Sequence, residues 1–183
     1  MVAFLLLTSN IIHANAIIPQ IGKIESQWAT IYYAKNTSEH KQEYSTLLRN
    51  ITNLLKQHPE SVELMIWQAI TISTHAAFES PFTALNSINK AKNILELAIN
   101  KKPNALDGAA FVTLGTLYYM TPGWPISFGD QNKAGKLLRT ALKINPHDID
   151  SNYFYADYLL SINKIDQASR HFTLALKPPT DLC

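Results

Sequence analysis

Three stretches of the chain repeat one spacing. They are AKNILELAINKKP (91–103), AGKLLRTALKINP (134–146) and ASRHFTLALKPP (168–179). Each places an alanine seven residues before another: Ala91 and Ala98, Ala134 and Ala141, Ala168 and Ala175. Each puts a large apolar residue four places after the first alanine, namely Leu95, Leu138 and Phe172, and each ends in proline. Residues seven apart share one helix face. Small side chains there let a neighbouring helix approach, and the large residue fills the next gap. The proline ends the helix and turns the chain onward. LLRNITNLLKQHP (47–59) is a degenerate copy, with Leu47 and Leu54 at the alanine positions.

The same punctuation predicts helices over 22–36, 39–57, 61–78, 84–101, 105–120, 130–144, 149–162 and 165–177. No segment alternates with the period of a strand, so the fold class is all-α. Ser38, Ser61, Asn104 and Asp130 stand where N-caps are needed, and Asn104 with Asp107 has the spacing of a capping box. The His147-Asp148-Ile149-Asp150 cluster reads first as the cap of the seventh helix. Recurring prolines exclude a long coiled coil, leaving a plain helical bundle as the competing architecture. Hydrophobic residues make up 46% and charged residues 16% of the 183, as in a globular chain. With 16 Lys and Arg against 14 Asp and Glu, the net charge of +2 points to neither nucleic acid nor an anionic membrane surface.

The segments ahead of the alanine pairs agree with one another. Phe111-x-x-Leu114-Gly115-x-x-Tyr118 precedes Ala134, and Asn152-x-x-Tyr155-Ala156-x-x-Leu159 precedes Ala168. This pattern resembles the tetratricopeptide repeat (TPR) family, W-x-x-L-G-x-x-Y followed by A-x-x-x-F, A and P. The resemblance implies a right-handed α-solenoid of about four TPR-like helix pairs. It also implies a concave face lined by the first helix of each pair. Repeat register then places Thr116 and Tyr119 on that face in one unit, and Asp150, Tyr153 and Asp157 in the next. A surface of tyrosines and aspartates suits a peptide or a small polar ligand, and an ordinary solvated face stays open beside it.

Ala134 and Ala168 are 34 residues apart, but Ala91 and Ala134 are 43 apart. The excess falls in TPGWPISFGD (121–130), where two prolines and two glycines forbid a continuous helix. The preceding unit is long too, with its excess near 78–83. Both enlarged turns join the first helix of a pair to the second, so both project from one edge. The expectation is a shared patch of Phe78, Phe82, Trp124 and Phe128 beside Glu79 and Asp130, with Trp124 mostly buried against 78–83. It is either a binding patch or an aromatic cap in which Asp130 serves only as an N-cap.

Residues 1–16 hold an apolar run from Val2 to Leu7 and end in Ala14-Asn15-Ala16, the arrangement of a secretory signal cleaved after Ala16. The expectation is a periplasmic or secreted bacterial protein whose single TPR-like helical domain spans 17–183. The mature chain should hold no transmembrane segment. A lone Cys183 gives no internal disulfide. The six histidines lack metal-ligand spacing, and no nucleotide or nucleophile motif is present. The chain therefore reads as a non-enzyme without metal or cofactor, binding a protein or peptide partner, with homo-oligomerisation left open. The turn PGWPISFGD, with NP-x-x-ID-x-NYFYADYLL after it, resembles exported proteobacterial TPR proteins. Some of these are loosely like the T component associated with TRAP transporters, which implies a small-ligand role as the alternative.

Overall fold

A computed structural model describes residues 3–34 and 39–177, with side chains described from Ile17 onward. Among these residues eight α-helices follow one another: α1 (Ala3–Tyr33), α2 (His40–Gln57), α3 (Val62–His75), α4 (Pro81–Lys101), α5 (Ala109–Met120), α6 (Gln131–Ile144), α7 (Ile149–Ser161) and α8 (Ile165–Ala175). Among the described residues there is no β-strand, only one isolated bridge between Gly123 and Gly129. The backbone of α1 is helical from Ala3, well before the expected start at 22. The side chains of the leader, the Ser38 cap and Cys183 lie outside the described residues.

Each helix packs on the next, and the odd-numbered helices also touch in series, α1 on α3, α3 on α5 and α5 on α7. That pattern is a stack of four helix pairs, an all-α solenoid whose odd helices form the inner layer. The alanine pairs explain how the pairs close. Ala91, Ala98, Ala134, Ala141, Ala168 and Ala175 are all buried, and Leu95 and Leu138 are buried between them. Two glycines permit still closer approach. A Cβ on Gly115 would lie 2.8 Å from Leu138 Cγ, and one on Gly135 would lie 2.5 Å from the Tyr158 hydroxyl. The core divides into two clusters. One joins Ile24, Ile31, Tyr44, Leu47, Ile51, Leu64 and Trp67 of α1–α3. The larger runs from α3 to α8.

The caps follow the sequence with one exception. Ser61 Oγ accepts from Leu64 N at 3.3 Å, and Asp130 Oδ1 accepts from Asn132 N and Lys133 N at 2.9 and 3.0 Å. Asp148 Oδ2 accepts from Ser151 N at 2.7 Å, which makes it the cap of α7. Asn104 caps nothing, and the expected capping box with Asp107 is absent. Instead Leu106, Asp107 and Gly108 adopt positive φ values of 47°, 52° and 85°, so α5 starts at Ala109. A left-handed non-glycine residue costs about 1–2 kcal/mol. The return is packing: this twist sends Leu106 against both hydrophobic clusters.

Candidate functional site on the inner face

The inner layer joins two of the five predicted concave residues by a hydrogen bond. The Tyr119 hydroxyl on α5 donates to Asp157 Oδ2 on α7 at 2.5 Å. Thr116, one turn before Tyr119, donates its own hydroxyl to Val112 O at 2.9 Å. Burial, and then the Asp157 carboxylate, push the Tyr119 phenol far above its ordinary value, so it stays a neutral donor. Tyr153 stands near the same group, half exposed, with its ring edge-on to Phe154 at 5.3 Å and to Phe172 at 5.6 Å.

Asp150 lies one helical turn nearer the start of α7. Its own surface is open, yet the surrounding helices strip water from the carboxyl, and the nearby Asp148 and Glu25 charges repel it. All three effects raise its pKa above the ordinary value. Glu25 belongs to α1, so a charge on the first helix acts on the seventh. The sequence concealed this, because α1 carries no alanine pair from which a register could be read. Glu25 also lines a groove of about 860 Å³ between the middle of α1, the turn into α3 and the segment that links α4 to α5, with Ile17, Ile21 and Leu106 on its apolar side. Glu63 and Lys102 close its far wall with a 2.7 Å ion pair. Burial raises the Glu63 carboxyl, but the Lys102 hydrogen bond and charge outweigh it and bring the net value down.

The expected shared aromatic patch does not form as a buried unit. Trp124 is 90% exposed and Phe82 is 79% exposed. Phe78 turns inward, with ring contacts to His40 at 5.8 Å and Tyr44 at 5.9 Å. Phe128 packs edge-on against Tyr118 at 5.2 Å, beneath Lys92 Nζ at 5.8 Å from its ring. Asp130 spends its side chain on the first amides of α6. The physical cause lies in how the two units absorb their extra length. In the earlier one, Ala76–Phe78 forms a 3-10 turn and α4 begins directly at Pro81, since proline suits the first position of a helix. Little open loop is left there to meet the second one. The loop 121–130 closes on itself instead. Gly129 N donates to Pro122 O at 3.0 Å, Asp130 N to Tyr118 O at 2.9 Å and Ile126 N to Gly123 O at 3.1 Å. That closure leaves Trp124 at the tip.

One further polar group joins three helices. Ser45 Oγ on α2 lies 3.2 Å from His75 Nε2, His75 Nδ1 lies 3.3 Å from Glu79 Oε1, and Glu79 Oε2 accepts from Ser87 Oγ at 2.7 Å. The Ser45 hydroxyl also donates to Lys41 O at 2.8 Å. The group ties α2, α3 and α4 together. Among the described residues, no three acidic, histidine or cysteine side chains are gathered to hold a metal ion.

The sequence matches no protein-family profile, and no curated protein matches it significantly. The solved structure of a thermophilic TPR protein from Thermus thermophilus is similar, with a TM-score of 0.63 at 16% identity. The match covers 96% of this chain and 90% of that one. The fold is that of a TPR protein. In this stack the inner helices are α1, α3, α5 and α7.

Proposed function

We propose that this chain is an exported member of the TPR family that binds a protein or peptide segment along its inner face. The Tyr119–Asp157 pair carries the reading. It is a pre-ordered tyrosine and carboxylate set in the layer where such folds receive ligands, and ordering it before binding lowers the entropic cost of association. Asp150 and Glu25, with Asp157, give the hollow an acidic character, so the preferred segment offers N–H donors or a Lys or Arg side chain. Export rests on the Val2–Leu7 run and the Ala14-Asn15-Ala16 site. The second reading, a small-ligand component associated with a TRAP-type transporter, is favoured by one observation. The groove of about 860 Å³ beside α1 falls in the size range of small-molecule sites.

The test is a pull-down from periplasmic extract with the parent chain and with an Asp150→Asn, Asp157→Asn double variant. Retention of a protein by the parent and its loss in the folded double variant supports the peptide reading. Equal retention by both, or retention of nothing, sinks it.

A further inference from the structure

The outer end of each helix pair displays an exposed apolar side chain. Antiparallel pairs stacked in series put every turn from a first helix to a second helix on the same edge. Tyr33 ends α1, Phe82 opens α4, Trp124 and Ile126 occupy the α5–α6 loop, and Ile165 opens α8, all exposed. All four pairs are thus represented on one edge. The α5–α6 loop is not slack. Its cross-loop hydrogen bonds hold it closed, and Gly129 has no room for a Cβ because Thr121 O occupies that place. A rigid loop holding a tryptophan outward is a presented side chain, not an unpacked one.

We infer that this edge rests on the interfacial layer of a phospholipid bilayer. Three observations select lipid over a protein partner. The apolar side chains are separate prongs on different helix ends, whereas protein hot spots gather in one packed patch. Tryptophan and tyrosine among them are the residues that favour the headgroup level. Lysines stand beside them, Lys41, Lys133 and Lys164, each at the start of a second helix, with Lys133 Nζ 5.4 Å from the centre of the Tyr118 ring. Two acids of this edge are turned to internal work, Asp130 on its helix amides and Glu79 on His75 and Ser87. Glu39, Glu43 and Asp166 remain exposed there and offset the three lysines, so the apolar prongs carry the affinity. Among the described residues no helix is long and apolar enough to cross a membrane, so the contact is peripheral.

Tryptophan fluorescence reads this edge directly. Trp67 is buried and Trp28 is tied to Thr74 Oγ1 at 3.1 Å, so Trp124 is the outward-facing tryptophan. The full chain is mixed with vesicles of phosphatidylcholine, and separately with vesicles that also contain phosphatidylglycerol. The expected result is a blue shift in both mixtures and flotation of the protein with the vesicles. A Trp124→Ser, Ile126→Ser double variant should partition about tenfold less or weaker still. The apolar Val2–Leu7 run is common to parent and variant, so the difference between them belongs to the edge. Circular dichroism checks that the variant is folded, as the exposure of both sites leads one to expect. Equal flotation of parent and folded variant overturns the inference. So does a blue shift that grows with protein concentration without lipid, which would assign the edge to a second copy of the chain. A shift confined to phosphatidylglycerol vesicles would overturn the apolar basis and leave charge as the cause.

Discussion

Tyr119 and Asp157 join α5 to α7 through a 2.5 Å hydrogen bond, one residue from each of two successive helix pairs. The bond is therefore a tie between repeats that lies on the inner layer. Tyr119→Phe removes the donor and leaves a half-buried carboxylate without it. The expected cost is about 1–3 kcal/mol in a urea titration. An unchanged midpoint would show that water replaces the hydroxyl at no loss.

The alanine positions predict a graded response to overpacking. Ala141 is fully buried at 0% exposure, while Ala175, at 9%, lies at the end of the last helix. Ala141→Leu should cost about 1–3 kcal/mol, and Ala175→Leu less, because its site is the more open of the two. Equal thermal shifts for the two variants would contradict that ranking.

Trp124 and Phe128 separate presentation from packing within a single loop. Trp124→Ala should change stability by no more than about 0.5 kcal/mol, as for other exposed sites. Phe128→Ala loses its contact with Tyr118 and should cost about 2–3 kcal/mol, short of the full value for a completely buried ring. Chemical denaturation of both variants decides. A large loss at Trp124 would mean that its ring is covered.

The two loop glycines give a sharper contrast. A Cβ on Gly129 would sit on Thr121 O and crowd the Pro122 carbonyl at 2.8 Å, both of them backbone atoms. A Cβ on Gly123 would meet only Gly129 O, at 3.4 Å. Gly129→Ala should open the loop and lower the melting temperature, while Gly123→Ala should be close to neutral. Matching melting curves for the two would show that the loop is not closed in this way.

Asp150 predicts a pH dependence of definite sign. Its carboxyl is raised in the folded chain, first by loss of water and then by Asp148 and Glu25. The folded state therefore holds the proton to higher pH than the unfolded state does. Stability contributed by this group falls as pH rises from the unfolded value through the folded one, and remains lower above it. Asp150→Asn should raise the melting temperature at neutral pH, with the gain disappearing below about pH 4, the ordinary carboxylate value. A variant no more stable than the parent at neutral pH would argue against the crowding of carboxylates in the hollow.

Both the helix pairing and part of the inner site were legible in the residues. Alanines seven apart demand close helix contact wherever they occur, because the face they share is a property of helix geometry alone. The 34-residue spacing then carried register from one unit to the next and placed Tyr119 and Asp157 on the same inner face. Local periodicity could specify these features because each depends on residues within one or two repeats. What only the tertiary structure decided depends on distant partners. Leu106 twists left-handed, at the expense of the expected Asn104 cap, because a seam between two core clusters is there to be filled. The Glu25 charge on α1 acts on Asp150 of α7, a proximity between residues far apart in the chain. Phe128 and Trp124 are both aromatic and stand four residues apart in one loop. The hydrogen bonds Gly129 to Pro122 and Asp130 to Tyr118 close that loop so that Phe128 packs beneath it and Trp124 points to solvent. Composition could not distinguish the two rings, since their fates were settled by backbone closure against a neighbouring helix.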